Sequence, residues 1–123
     1  MAPKILFIED ESALQKTIGD FLNEKGYKVI SALDGEIGLK LAKKEKPDLI
    51  LLDLILPKIP GLEVLKKIKE DEETKKIPVI ILTNVESLNE VEKAISLGAT
   101  DYLVKAEYSL EEIFKKIKKA LPF

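Results

Sequence analysis

A chain of 123 residues, 46% hydrophobic and 34% charged, has the length and composition of one folded domain rather than a disordered segment. It contains no cysteine and no histidine, which excludes disulfide frameworks, thiol nucleophiles, zinc sites built on thiolate or imidazole, and serine–histidine triads. A net charge of −2 offers no general attraction to nucleic acid, and no apolar run approaches the roughly 20 residues that cross a bilayer, so a cytoplasmic protein without membrane or direct nucleic-acid contact is expected.

Lys4–Ile8 reads as a strand that opens onto Glu9, Asp10 and Glu11. Ser12 with Gln15 fits a capping box at the start of a helix whose apolar face is Leu14, Ile18, Phe21 and Leu22. Glu11 reads as an acid complementing that helix's dipole. Gly26 stands where a left-handed exit is wanted, and Lys28–Ala32 forms the next strand. A helix over Gly35–Lys44 leads to a third strand, Asp48–Asp53. Its core, Leu-Ile-Leu-Leu, is continuously apolar, as a parallel strand covered on both faces requires. Pro57 and Gly61 read as turn residues before a helix over Leu62–Lys69. Pro78–Thr83 repeats the buried-strand pattern. Ser87 and Glu90 mark the start of a helix over Leu88–Leu97, with Gly98 at its exit. Asp101–Lys105 is the last strand. Ser109 with Glu112 opens a final helix, with Leu110, Ile113, Phe114, Ile117 and Leu121 inward and Lys115, Lys116, Lys118 and Lys119 on a solvated face.

Five strands alternating with five helices through short connections predict right-handed crossovers and an α/β parallel sheet with helices on both faces, in a single domain over residues 1–123. In such sheets ligands bind beyond the carboxyl ends of the strands. Those ends carry Glu9-Asp10-Glu11, Asp53, Thr83-Asn84 and Lys105. Crowded carboxylates repel unless a cation sits among them, and a hard divalent ion such as magnesium takes oxygen ligands of this kind. With the ion and Lys105 neutralising charge and Thr83 donating a hydrogen bond, Asp53 could act as a nucleophile towards phosphorus.

These residues, in this order, resemble the response-regulator receiver family of two-component signalling. The matching stretches are Ile-Leu-Phe-Ile-Glu9-Asp10-Glu11, Asp48 through Asp53 to Pro57 and Gly61, Pro78 to Thr83, Gly98-Ala-Thr-Asp-Tyr102 and Leu-Val-Lys105, spanning essentially the whole chain. The resemblance implies a flavodoxin-like sheet of order 2-1-3-4-5. It implies Asp53 as the phosphorylation site, and magnesium held by Asp10, Glu9, Asp53 and the backbone carbonyl of Ile55. Lys105 becomes the phosphoryl-binding lysine, with Thr83 and Tyr102 as a switch pair in which the tyrosine turns inward behind the threonine. The implied partners are a sensor histidine kinase or phosphotransfer protein and a downstream protein bound through the strand 4/strand 5 face. The chain would act as a monomer or weak homodimer, as a phosphoacceptor signalling domain rather than an enzyme.

Two positions depart from the family pattern: Ala106 follows Lys105 where proline, usually on a cis bond, is common, and Asn84 replaces a small residue after the threonine. A trans bond is expected, because cis without proline costs about 3–4 kcal/mol. A dehalogenase-type phosphatase would need a second aspartate two residues after its nucleophile, where Ile55 stands. Dinucleotide binding would need a Gly-rich loop after the first strand. A degenerate receiver serving only as a docking module is disfavoured by the full set of pocket residues.

Overall fold

In the computed structural model, which describes residues 2–123, five strands alternate with five α-helices. The strands β1 (Lys4–Ile8), β2 (Lys28–Ala32), β3 (Leu49–Leu52), β4 (Val79–Thr83) and β5 (Asp101–Val104) form one parallel sheet in the order β2-β1-β3-β4-β5. The flavodoxin-like order implied by the sequence resemblance is the one found. The helices are α1 (Ser12–Glu24), α2 (Gly35–Glu45), α3 (Gly61–Glu70), α4 (Leu88–Ser96) and α5 (Leu110–Ala120). Among the described residues, no helix is long and apolar enough to cross a membrane.

Side chains alternate across a strand, and this period of two builds two cores from single apolar runs. Leu6, Ile8, Ile50, Leu52, Val79 and Ile81 point to one face, against Ala42 of α2, Val64, Leu65 and Ile68 of α3, and Ala94 of α4. Ile5, Phe7, Leu49, Leu51, Ile80, Leu82 and Leu103 point to the other, against Ile18 and Leu22 of α1 and Ile113 and Ile117 of α5. Most of these side chains are wholly buried, each contributing about 1.5–3 kcal/mol of transfer free energy. The central strands therefore carry the most heavily buried part of the core.

The ladders end one residue short of the expected spans at several places. Pro78 has no N–H to donate and serves β3 only through its carbonyl, which accepts from Ile50 N at 3.0 Å. Asp53 leaves the ladder to face the carboxyl edge, and Lys105 begins a short 3-10 turn, Lys105–Glu107. The helix starts divide three ways. Ser109 and Glu112 form the full reciprocal capping box, whereas Ser87 accepts from Glu90 N without the return bond. The box expected of Ser12 and Gln15 is absent: Glu11 is the capping residue, it makes no side-chain cap, and Gln15 is buried against the strand ends. Burial on the inner face of α1 outweighs a weak capping bond at the surface.

Gly26 and Gly98 have φ of 94° and 106°, the left-handed exits expected of them. Gly61 is different. It is the first residue of α3, its φ is not positive, and a Cβ there would lie 2.3 Å from the Asp53 carbonyl oxygen and 2.5 Å from Leu54 Cα. It is glycine because the backbone of the β3 exit passes against it, not because a turn needs its torsion. Gly61→Ala should therefore destabilise by about 1–3 kcal/mol and shift the resonances of Asp53 and Leu54, since backbone must move to admit the methyl group. Gly26→Ala, with open space at its Cβ, should cost only about 1–2 kcal/mol of torsional strain and leave Asp53 untouched. Chemical denaturation with amide NMR distinguishes the two effects.

Candidate functional site

The register sets the site. Ile8 pairs with both Ala32 and Leu52, and Asp53 N donates to Ile8 O at 3.0 Å. Glu9 and Asp53 each stand one residue beyond a paired strand end, and so lie side by side. Both are buried, Glu9 at 1% exposure and Asp53 at 5%, while Asp10 is exposed. One carboxylate oxygen from each of Glu9, Asp10 and Asp53 lies within 4.8 Å of the others. Across from them, Lys105 Nζ donates to Asp53 Oδ2 at 3.0 Å and lies 2.5 Å from Glu9 Oε1. The Glu9 contact is an ion pair without directed hydrogen-bond geometry, so Glu9 Oε1 has no hydrogen-bond partner among the described residues. Glu9 Oε2 accepts from Glu11 N at 3.0 Å, and Asp53 Oδ1 accepts from Ile55 N at 3.3 Å.

Burial pushes the Glu9 carboxyl above the usual glutamate value. Contacts from Lys105 and the Glu11 N–H oppose this, and the Asp53 charge adds to it. For Lys105 burial alone would pull the ammonium down, but its contacts with Glu9 and Asp53 together outweigh that and hold it above the ordinary lysine value. The pocket is short of positive charge: one ammonium serves two buried carboxylates.

The remaining wall of the cleft, about 280 Å³ in volume, comes from Glu11, Ile55, Thr83 and Asn84. Thr83 is fully buried and its Oγ1 accepts from Val85 N at 3.4 Å. Ile55 is 66% exposed at the rim. Tyr102 does not line the cleft. It is half-buried, and its hydroxyl donates to Val85 O at 2.7 Å, tying β5 to the segment between β4 and α4. Burial raises its pKa, helped by the charges of Glu90 and Asp53. The Lys105–Ala106 bond is trans, as expected, and Lys105 opens the 3-10 turn with its ammonium paired to Glu9 and Asp53.

Two features of the site were not read from the sequence. Ile59 N donates to Pro57 O at 2.8 Å around Lys58, whose φ is 73°, so the loop after Asp53 tightens through a three-residue turn on a non-glycine residue. No local composition signals that. The other is Gln15, whose side-chain amide reaches carbonyls at the ends of β1 and β2. Its position three residues before Ile18, on the inward face of α1, was the available signal.

The fold and this acidic, lysine-bearing edge define a doubly wound α/β protein with a polar cleft at the carboxyl ends of its strands. Residues 5–118 match the family model of the response regulator receiver domain, and the chain belongs to that family. It is 34% identical over 122 residues to sporulation initiation phosphotransferase F of Bacillus subtilis, covering 99% of this chain and 96% of that protein. It is 38% identical over 119 residues to the DNA-binding dual master transcriptional regulator RpaA of Synechocystis, and 38% over 121 residues to the alkaline phosphatase synthesis transcriptional regulatory protein PhoP of B. subtilis. These alignments cover 97% and 98% of this chain but 49% of each relative, so the chain spans about half the length of such regulators. Among solved structures, the chemotaxis protein CheY4 of Vibrio cholerae superposes with a TM-score of 0.91 at 28% identity, covering 98% of this chain and 100% of that one. The receiver domain of the sensor histidine kinase PA1611 of Pseudomonas aeruginosa, solved with a magnesium ion coordinated in its active site cleft, superposes with a TM-score of 0.88 at 28% identity, covering 98% of each chain.

Because the folded state raises the Glu9 pKa, protonation of Glu9 favours folding. The stability tied to its neutral form is fully present below the ordinary glutamate value and is lost as pH rises through the shifted one. Glu9→Gln, a neutral isostere, should therefore melt higher than the parent at neutral pH without divalent metal. The gain should shrink as pH falls through the shifted value towards the ordinary one. Melting curves in chelator across that range check this, and a gain that grows on acidification would reverse the sign.

Proposed function

We propose that Asp53 accepts a phosphoryl group from a histidine kinase or phosphotransfer partner and that the chain signals through the change in surface that follows. The observation that carries this reading is the buried Asp53 carboxylate at the end of β3, bonded to Lys105 and grouped with Glu9 and Asp10. Ordinary structural aspartates are not buried among two further acids with a single lysine for the group.

The donor set fits magnesium. Three hard carboxylate oxygens lie close together beside an open cleft, with no thiol or imidazole to favour a softer metal. Glu9, Asp10, Asp53 and the backbone carbonyl of Ile55 would hold the ion. Bound there, it would relieve carboxylate repulsion and neutralise charge on a transferring phosphoryl group. An Asp53 oxygen attacks phosphorus as the bond from phosphorus to the donor breaks, and the bonding pair leaves with the donor. Lys105 moves from pairing with the Asp53 carboxylate to pairing with the new phosphoryl oxygens, and the Thr83 hydroxyl donates to them.

Readout follows from the contacts around Thr83. Its Oγ1 accepts from Val85 N, and the Val85 carbonyl accepts from Tyr102. Drawing Thr83 towards a phosphoryl group pulls on the segment leading into α4, whose exposed Leu88 and Ile95 lie on the face that would meet a protein partner. The negative net charge favours a protein rather than nucleic acid as that partner.

Two measurements test the assignment. With magnesium and acetyl phosphate, the chain should gain one acid-labile phosphoryl group by mass spectrometry, and Asp53→Asn should gain none. Equal labelling of the variant would refute Asp53 as acceptor. Magnesium should also raise the melting temperature, with a stabilisation growing as RT ln(1 + [Mg]/Kd). That gain should disappear in Asp10→Ala, which leaves the buried Glu9–Lys105–Asp53 group in place.

A further inference from the structure

Gln15 is 6% exposed, and its amide nitrogen lies within hydrogen-bond reach of three carbonyl oxygens: Phe7 at 2.7 Å, Ala32 at 3.1 Å and Glu9 at 3.2 Å. An amide nitrogen carries two protons, so at least one of these bonds is shared. The partner atom, Gln15 Oε1, is buried without a hydrogen bond among the described residues. An orphaned buried oxygen is a cost that methionine or leucine at this position would not carry. Packing alone therefore does not account for a glutamine here; the donor group does.

What the donor holds is the backbone of the acidic loop. Glu9 N donates to Ala32 O at 2.9 Å, and Glu9 O accepts from Gln15, so the Glu9 residue is fixed on both its N–H and its carbonyl side. The Glu9 carbonyl belongs to the peptide that leads directly into Asp10. Asp10 is exposed, and its carboxylate makes no side-chain hydrogen bond among the described residues. Its place beside Glu9 and Asp53 is set by the backbone on either side. Gln15 supplies the fixed point before it, and the bond from Glu11 N to Glu9 Oε2 supplies the one after.

We propose that Gln15 is a positioning residue for the divalent-cation site: it holds the Glu9–Asp10 backbone so that both carboxylates meet Asp53, without touching the ion. This rests on the reading of Glu9, Asp10 and Asp53 as that site. Outer contacts that orient metal ligands typically change affinity by about 10–100-fold when removed.

The test is calorimetric titration of the full chain with magnesium alone, at neutral pH, for the parent, Gln15→Met, Gln15→Leu and Asp10→Ala. Both Gln15 variants keep the volume of the side chain and lose its donors. They should stay folded by amide NMR, with the Glu9, Asp10 and Glu11 resonances displaced, while the magnesium Kd rises at least about tenfold. A merely structural role would lower the melting temperature and leave the Kd of the folded protein alone. An unchanged Kd in folded variants therefore overturns the proposal. So does loss of the folded state in both, which would make Gln15 a packing residue. Absence of magnesium binding by the parent chain, or undiminished binding by Asp10→Ala, overturns the cation-site reading and the positioning role with it. Tenfold weakening in the Gln15 variants, alongside loss of binding in Asp10→Ala, supports both.

Discussion

Two carboxylates buried side by side at the edge of a parallel sheet repel each other, and everything else at this end of the molecule answers that fact. Glu9 and Asp53 are adjacent because β1 and β3 are adjacent and in register, and each acid follows the last paired residue of its strand. The Lys105 ammonium, arriving from β5 on the far side of β4, neutralises part of that charge. Removing the single cation from such a buried group typically costs about 3–5 kcal/mol, because both carboxylates are left without compensation. The group is still short of one positive charge in compensation, and the exposed Asp10 adds a third acid rather than a cation. Such an imbalance is poor design for stability alone and suits a pocket that receives a cation.

The loops around this pocket are built for closeness rather than flexibility. Gly61 admits the backbone of the β3 exit, and Gly35 N donates to Pro57 O at 3.2 Å, drawing the loop after β2 onto the loop after β3. The left-handed Lys58 tightens the same loop. On the other side, Gln15 and the Glu11 N–H restrain the loop after β1. The central strands carry most of the burial, so their ends act as a fixed frame, and these few contacts set the remaining positions of the acids.

The opposite side of the pocket is held more lightly. Thr83 and Tyr102 reach the same residue, Val85, one through its N–H at 3.4 Å and the other through its carbonyl at 2.7 Å. The following helix keeps Leu88 and Ile95 exposed and buries only Ala94 among its own residues. A segment with so little buried apolar surface is the one that can shift at low cost while the sheet stays in place.

Much of this was legible in the residues themselves. The apolar runs within Asp48–Asp53 and Pro78–Thr83 read as strands covered on both faces, and the alternation of strands with amphipathic helices pointed to a parallel sheet. The acids, Thr83 and Lys105 were visible as a group because each stands at a strand's carboxyl end, where such sheets bind ligands. Local pattern was misleading where burial overrode it. Ser12 and Gln15 have the spacing of a capping box, yet the inward face of α1 takes the glutamine to the strand ends. Gly61 looked like a turn residue, and only the packed backbone reveals that it is glycine for want of space. Strand order, the pairing of one lysine with two acids and the meeting of Thr83 and Tyr102 at Val85 involve residues distant in the chain. Periodicity and spacing carry no information about such contacts, and the resemblance supplied the order only by analogy. Register and packing decided them, because in three dimensions two charges or two backbones must either find room or be compensated.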